Sequence, residues 1–179
     1  MQRGVRLAGF GGQGIILSGY VLGKAAAIYD GKEAVFSQSY GPEARGGACA
    51  AQVVISDGPV NYHLFEEADC LALLSQEAYE LYGGAVKPDA TVMVDSDLVT
   101  LNGKDDGFLT APFTSVAEEM GNRIVANIVM LGFFTAATGL VGAEAMKESI
   151  RTSVRERFME LNLQAFDRGI EMYEEQGRK

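Results

Sequence analysis

The distribution of apolar residues along the chain predicts an α/β fold. Short apolar runs bounded by glycine, proline and aspartate are typical of strands, and "ADCLALLS" is continuously apolar, as expected for a strand covered on both faces. Helices are predicted between the strands at 15–29 and 76–84. The six predicted strands, of which the last is the weakest, lie at 4–10, 33–39, 48–56, 68–75, 90–96 and 107–113.

After Thr114 the pattern becomes helical. In "SVAEEM", Ser115 is a candidate N-cap, and the acidic residues behind it suit the positive end of a helix. Two further helices are predicted over 142–151 and 153–175, and the second carries an apolar stripe. The members of this stripe are Val154, Phe158, Leu161, Ala165 and Ile170.

The run from Ile124 to Ala143 contains twenty residues without a charge, which is the nominal length of a membrane span. It includes the amide of Asn127, however, and Gly139 and Gly142 are typical of helix ends. A buried core helix over 122–138 is therefore the favoured interpretation. An unpaired buried amide is costly, so we expect Asn127 to tie this helix to the sheet, with a role at a subunit interface as the alternative.

These elements predict one α/β domain over residues 1–179, with a Rossmann-like, open and mostly parallel sheet, helices on both faces and a helical C-terminal third. The content of 47% hydrophobic and 22% charged residues is ordinary for a globular protein. The net charge of −9 argues against nucleic-acid binding, although a local basic pocket for a small anion is compatible with it. The first residues lack a cleavable signal pattern, so we expect a cytoplasmic protein that does not enter the membrane.

The residues that usually carry catalysis are sparse. Cys49 and Cys70 match no metal-ligand spacing, and both are interpreted as packing residues. The single histidine, His63, is more typical of a helix start or a surface than of a catalytic base. The sequence also shows no paired carboxylates and no nucleophile elbow. We therefore expect no complete chemistry, no catalytic residue and no metal site in this chain.

A glycine turn follows the first strand. "GFGGQG" contains G-x-G-x-x-G at Gly9, Gly11 and Gly14, and a strand, tight turn and helix in this order present free N–H groups to an anion. A dinucleotide site also needs an acid at the end of the second strand, but that strand ends in "FSQS" and its nearest acid, Glu33, stands at its beginning. A packing turn that contacts another phosphate or a partner chain is therefore favoured over NAD binding. Within it, the amide of Gln13 is placed to bond a neighbour.

A second unusual segment, "SQSYGPEARGGACA", follows the second strand. One interpretation is a structured turn held by a Glu43–Arg45 interaction. The other is a binding loop, in which Arg45 offers a planar fork to a carboxylate or phosphate and Gly46–Gly47 allows close approach. Loops at the carboxyl ends of parallel strands share one edge of a sheet, so the glycine turn and this loop are expected to be neighbours.

Together with "NIVMLG" and "LNLQAFDRG", these two segments make essentially the whole chain resemble the gamma subunit of 2-oxoacid:ferredoxin oxidoreductases. The resemblance implies that the family motifs line a surface that faces the thiamine-bearing subunits and the route of coenzyme A. The residues that carry these motifs are Gly11, Gly12, Gln13, Gly14, Ser39, Tyr40, Gly41, Pro42, Glu43, Arg45, Gly46 and Gly47.

The resemblance also implies an activity for the assembled complex. Such enzymes convert a 2-oxoacid and coenzyme A into acyl-CoA and CO2 and pass electrons to ferredoxin. Thiamine diphosphate, Mg²⁺ and iron–sulfur clusters are expected in the alpha, beta and delta partner subunits, with none bound by this chain alone, which is expected to be inactive in isolation. 2-Oxoglutarate is the favoured substrate, with pyruvate, ketoisovalerate and indolepyruvate as alternatives. A stand-alone nucleotide-dependent oxidoreductase and a pure scaffold without ligand contact are the competing hypotheses.

Overall fold

The computed structural model describes residues 1–40, 48–60, 64–103, 105 and 107–177, with only the backbone of Tyr40. Within this part the strands are β1 Gln2–Phe10, β2 Glu33–Tyr40, β3 Ala48–Ser56, β4 Ala68–Leu73, β5 Val86–Asp95 and β6 Leu109–Ala111. The α-helices are α1 Ile15–Lys24, α2 Gln76–Tyr82, α3 Phe113–Glu119, α4 Ala126–Thr138, α5 Ala143–Arg151 and α6 Glu156–Gly177. A π-helical turn, Ala25–Tyr29, continues α1, and a 3₁₀ turn, Arg123–Val125, leads into α4.

The strands form one open sheet in the order β2-β3-β1-β4-β5-β6. Neighbours from β1 through β4 and β5 to β6 run parallel, whereas β3 is antiparallel to both β1 and β2. The predicted mostly parallel α/β sheet is therefore confirmed, with one qualification. A doubly wound sheet sets its second strand beside the first, but here β3 lies between β1 and β2. The connection from β2 to β3 is short, and a short connection can join two neighbouring strands only as an antiparallel pair.

Helices cover the two faces of the sheet unequally. Five of the six described helices, all except α2, pack on one face around a large aromatic and aliphatic core. The other face carries α2 and a smaller core in which Tyr79 contacts the short side chains of the strands. The prediction of helices on both faces is confirmed. The central side chains of the larger core are Phe113, Phe133, Phe134 and Phe166.

The predicted core helix is α4, in which residues 126–135 are all buried. Within the described part of the chain, no helix is long and apolar enough to cross a membrane. α4 lies against α6 with the two backbones in contact, since a Cβ on Gly132 would overlap the carbonyl oxygen of Phe166 and one on Gly169 would overlap that of Val129. Glycine at both positions lets these two helices pack with their backbones in direct contact.

The predicted N-cap of α3 is wrong. Pro112 occupies the cap position and Ser115 lies inside the first turn, where its N–H donates to Oδ2 of Asp97 at 2.6 Å. The N–H of Thr114 likewise donates to Oδ2 of Asp95 at 3.2 Å. Carboxylates from the end of β5 therefore bind the free N–H groups of α3, and this long-range arrangement replaces the local serine cap.

A buried carboxylate connects three strands at the opposite edge of the sheet. Asp69 in β4 accepts hydrogen bonds from the N–H of Gly4 at 2.7 Å, from Arg3 at 3.0 Å and from Lys87 at 2.9 Å. Burial alone raises the pKa of Asp69, but the bonds from Gly4, Lys87 and Arg3 outweigh it and hold this pKa below its ordinary value.

We expect Gly132→Ala to lower the free energy of unfolding by about 1–3 kcal/mol, because the added methyl group forces α4 and α6 apart. Gly23→Ala is the matched control in α1, where a Cβ would make ordinary contacts with Val53 and Phe36 at 3.5 and 3.6 Å. That variant should gain up to about 1 kcal/mol from helix propensity. Urea denaturation of the purified chain measures both, and equal effects of the two substitutions would contradict the backbone contact.

The lowered pKa of Asp69 predicts a contribution to stability that is complete above its unfolded pKa of about 3.9 and is lost as the pH falls below it toward the folded pKa. Asp69→Asn should lower the free energy of unfolding at pH 7 by about 1–3 kcal/mol and remove this part of the acid dependence. Denaturation curves between pH 6 and pH 3 test it. Asp89→Asn, at an exposed position of β5, should keep the wild-type dependence.

Candidate functional site at the carboxyl edge of the sheet

The glycine turn stands between the end of β1 and the start of α1, and the side chain of Gln13 holds it in place. Its Oε1 accepts a hydrogen bond from the N–H of Phe10, and its Nε2 donates to the carbonyl oxygen of Leu74 at 2.7 Å. The expected hydrogen bonding of Gln13 is therefore confirmed, and both partners are main-chain groups at the ends of neighbouring strands. This side chain serves the fold and leaves the backbone of the turn to face outward.

The four glycines of this segment have different reasons to be glycine. Gly12 and Gly14 have φ values of 98° and 73°, in the left-handed region that side chains disfavour. A Cβ on Gly9 would collide with Gln13. Gly11 has neither constraint, because its φ is not positive and no described atom lies within 4 Å of the place of a Cβ. The space above Gly11 is open to another molecule.

Asn127 ties α4 to the first turn of α1. Its Nδ2 donates to the carbonyl oxygen of Gly14 and to Oγ of Ser18, both at 3.1 Å, and Oγ of Ser18 also donates to Gly14 at 3.0 Å. The predicted structural tie is confirmed, but its partner is the start of α1 instead of the sheet. Two helices therefore begin at the same place beside the glycine turn.

The start of α1 can accept an anion. Among the described residues, no side chain caps this helix, so its first N–H groups are not bonded by a side chain. The 3₁₀ turn that leads into α4 begins beside it, where Asn122 caps the N–H of Ile124 at 3.1 Å. A helix start without a cap carries a partial positive charge and free donors, which is the arrangement that binds phosphate and carboxylate groups.

Among the described residues, three cavities adjoin the glycine turn. The central crevice, of about 340 Å³, lies between Gln13, Thr114 and Arg123. The helical groove, of about 380 Å³, runs from Gly12 and Gly14 to the start of α6. The α2 groove, of about 650 Å³, lies between Gly11 and the first turns of α2. The backbone of the turn is thus accessible from several sides.

An acid bonded to the lining of the central crevice is enclosed. Asp95, at the end of β5, is fully buried and accepts bonds from the hydroxyl of Thr114 at 2.6 Å and from the N–H of Asp97 at 3.1 Å. Burial raises the pKa of Asp95, and the bonds from Thr114 and Asp97 offset only part of that effect. This carboxylate fixes the start of α3 and is shielded from any ligand in the crevice.

The cysteines are packing residues, as predicted. Cys49 in β3 and Cys70 in β4 are both buried, and burial raises the pKa of both thiols, that of Cys70 to about 11. Neither presents a thiolate at neutral pH. In the described ranges, no three histidine, cysteine, aspartate or glutamate side chains form a group that could hold a metal ion. His63 lies outside these ranges.

The second predicted segment begins and ends at the same edge as the glycine turn. Tyr40 of β2 pairs with Cys49, and Ala48 of β3 pairs with Phe10 of β1. The ends of this loop are therefore close to the turn, although through the antiparallel β3 and not through adjacent parallel strands. Ser39 is exposed near the end of β2. The predicted site residues Gly41, Pro42, Glu43, Arg45, Gly46 and Gly47 lie outside the described residues.

The strand order also removes the position that a dinucleotide site requires. The acid that holds the ribose stands at the end of the strand next to β1, on the side of β2. Here that neighbour is β3, which runs in the opposite direction and contributes Ala48 and Cys49 at this edge. Among the described residues, the G-x-G-x-x-G pattern therefore has no partner acid at the end of the strand next to β1, which disfavours NAD binding.

Sequence reasoning missed the part of the site that comes from the C-terminal helices. Ile124 and Phe158 line the helical groove and are 66% and 39% exposed, whereas Phe158 was predicted to belong to a packed stripe. Ala165 is buried as predicted, and Leu161 is only half-buried. An isoleucine in a polar context before a helix, at Ile124, is a weak signal that sequence alone does not separate from ordinary surface exposure.

The fold and the site together define a class: a Rossmann-like α/β protein with a glycine turn at an uncapped helix start, whose described residues bring together no accessible catalytic set. Residues 4–172 match the family model for pyruvate ferredoxin/flavodoxin oxidoreductase, and the chain belongs to this family. The resemblance inferred from the sequence motifs is thereby confirmed.

Individual relatives match along almost the whole chain. 2-Oxoglutarate synthase subunit KorC of Methanocaldococcus jannaschii is 49% identical, covering 98% of this chain and 96% of its own. The gamma subunit of a keto/oxoacid ferredoxin oxidoreductase from Geobacter sulfurreducens superposes with a TM-score of 0.85 at 44% identity, covering 96% and 95% of the two chains. A 2-oxoglutarate:ferredoxin oxidoreductase from Magnetococcus marinus, solved with 2-oxoglutarate, coenzyme A and succinyl-CoA, superposes with 0.83 at 25% identity, covering 97% of this chain and 31% of that one.

We expect Gly11→Ala to change the free energy of unfolding by less than about 0.5 kcal/mol, because its φ and its surroundings accept a methyl group. Gly12→Ala should lower it by about 1–2 kcal/mol, because a side chain at a φ of 98° is strained. Thermal and urea denaturation of the two variants measure the difference. A large loss for Gly11→Ala would show that this glycine has a structural role within the chain.

Proposed function

We propose that this chain is the gamma subunit of a cytoplasmic 2-oxoglutarate:ferredoxin oxidoreductase, which it joins as a single domain. The complex converts 2-oxoglutarate and coenzyme A into an acyl-CoA and CO2 and passes the electrons to ferredoxin. The observation that carries the proposal is the similarity to a 2-oxoglutarate synthase subunit from one end of the chain to the other. The match to a gamma subunit of the same length supports the role.

In this proposal the redox chemistry belongs to the partner subunits. Thiamine diphosphate with Mg²⁺ supplies the decarboxylation and iron–sulfur clusters carry the electrons, in the alpha, beta and delta subunits. The described part of this chain offers two separate buried cysteines and no metal-binding group, which does not fit either cofactor. Its own contribution is to assemble the complex and to shape the coenzyme A side of the active centre.

The glycine turn supports the coenzyme A part of the proposal. The start of α1 offers backbone donors to an anionic group, and the open space over Gly11 admits it. The loop whose ends lie at the same edge contributes Arg45, whose guanidinium pairs well with phosphate. A pure scaffold remains the competing hypothesis, and it predicts that changes in the turn and in the loop affect assembly alone.

The substrate is tested on the complex purified after co-expression of all its subunits. Reduction of ferredoxin or methyl viologen is measured with coenzyme A and each of 2-oxoglutarate, pyruvate, 2-oxoisovalerate and indolepyruvate. We expect kcat/KM for 2-oxoglutarate to exceed the others by about tenfold or more, because an active centre built for a second carboxylate rejects substrates that lack it. A higher kcat/KM for any other 2-oxoacid would assign the complex to that substrate.

The coenzyme A side is tested in the same assay with variants of this chain. Arg45→Ala should raise the KM for coenzyme A by about tenfold, the loss expected for one charge-assisted contact, while the complex stays assembled. The structurally neutral Gly11→Ala should also raise it, because the added methyl group occupies the open space over the turn. Arg168→Ala is the control, because Arg168 lies in the second half of α6 and bonds Glu175 and Glu171. An unchanged KM in both variants refutes the contact with coenzyme A.

A further inference from the structure

The helical groove has an apolar lining made by three separate elements. Leu17 of α1, Ile124 of the 3₁₀ turn and Phe158 of α6 meet there, with exposed fractions of 36%, 66% and 39%. Val154 and Leu161 continue the same surface. Exposed apolar side chains from three elements that converge on one groove are unusual for a surface that only meets water.

The three asparagine side chains of the groove are already engaged within the chain. Nδ2 of Asn162 donates to the carbonyl oxygen of Phe158 at 2.8 Å, and Nδ2 of Asn127 is bonded to Gly14 and Ser18. Oδ1 of Asn122 accepts the N–H of Ile124. An occupant of the groove is therefore bound mainly through apolar contact, with polar recognition confined to the rim.

The rim of the groove is basic although the chain as a whole carries a net charge of −9. Arg155 lines the groove, and among the described residues its guanidinium has no carboxylate partner. The guanidinium of Arg157 lies over the ring of Phe158, at 4.6 Å from its centre. The guanidinium of Arg123 lies 3.7 Å from a carboxylate oxygen of the exposed Glu118. No described aspartate or glutamate lines the groove itself.

Several other basic side chains of the described surface are paired with carboxylates. Lys87, Lys147, Arg151 and Arg168 each lie within 3.3 Å of a carboxylate oxygen. Arg155 lines the groove, Arg157 stacks on the ring of Phe158 and Arg123 precedes Ile124 in the chain, so these three arginines border the apolar lining. Apolar contact surrounded by arginine is the composition of a protein–protein interface.

We propose that the helical groove docks an amphipathic segment of another subunit of the complex, in which an apolar side chain enters between Leu17, Ile124 and Phe158 and flanking aspartate or glutamate side chains pair with Arg155, Arg157 and Arg123. The inference rests on the proposed function for the existence of a partner subunit. The proposal gives the helical groove, which lies next to the glycine turn, a role in assembly. The backbone donors of the turn, which are proposed to face an anion, are a separate part of the site.

The test is retention of this chain by a tagged partner subunit in the purified complex, measured at salt concentrations from 50 to 500 mM. Ile124→Asp and the double variant R155E/R157E should each weaken retention by about tenfold to a hundredfold. The double variant should also lose the salt dependence that wild-type retention shows, since its groove no longer attracts acidic side chains. A photo-crosslinking residue at position 124 should join this chain to an acidic segment of a partner subunit.

Two matched substitutions control for the change of residue type. Ile28→Asp alters an isoleucine that is 67% exposed beyond the other end of α1, and Arg168→Glu reverses a charge in the second half of α6. The tagged partner subunit should retain both variant chains as strongly as it retains the wild-type chain. Circular dichroism and the melting temperature of each variant chain verify that all of them are folded.

Each outcome decides the proposal. Retention of the groove variants at wild-type level overturns it. Normal retention with a tenfold rise in the KM for coenzyme A also overturns it, and assigns the groove to that ligand. If the groove variants are released but the wild-type complex acts on none of the 2-oxoacids, the docking surface stands and the proposed function fails.

Discussion

The carboxyl edge of this protein depends on one acceptor, the carbonyl oxygen of Gly14. It receives the N–H of Ser18 at 2.9 Å, the hydroxyl of Ser18 at 3.0 Å and the amide of Asn127 at 3.1 Å. These bonds set the end of the glycine turn, the start of α1 and the start of α4 relative to one another. A side chain at Gly14 would be strained and would overlap Asn127, so the arrangement requires glycine here.

A second close contact, between α4 and α6, brings the helical groove next to the glycine turn. Because α4 and α6 touch through their backbones at Gly132 and Gly169, the start of α6 reaches the glycine turn. The helical groove and its arginines result from that approach. A subunit with an enclosed acid, buried thiols and an open anion-accepting turn is suited to binding and assembly, which agrees with its membership of a family of oxidoreductase complexes.

Much of the fold follows from local patterns. The strands and helices lie close to their predicted positions, and the buried helix over 126–138 follows from an uncharged run that ends at Gly139. Long-range partners explain the differences. Ser115 is not a cap because Asp95 and Asp97 reach the start of α3 from β5. Phe158 is exposed because it lines an open groove, where glycines of the turn and Asn127 of α4 stand instead of a closed apolar core.

The sequence by itself determined the α/β class, the glycine turn, the absence of a dinucleotide partner acid at the end of the second strand, and the family resemblance, because each depends on residues adjacent in the chain. Only the tertiary structure decided that β3 runs antiparallel between β1 and β2, and that Asn127 bonds α1 instead of the sheet. It alone brought Ile124, Arg155 and Phe158 into one groove. Strand order and helix packing depend on which apolar surfaces are buried against each other. These surfaces come from residues far apart in the chain, so a local sequence pattern does not reveal their pairing.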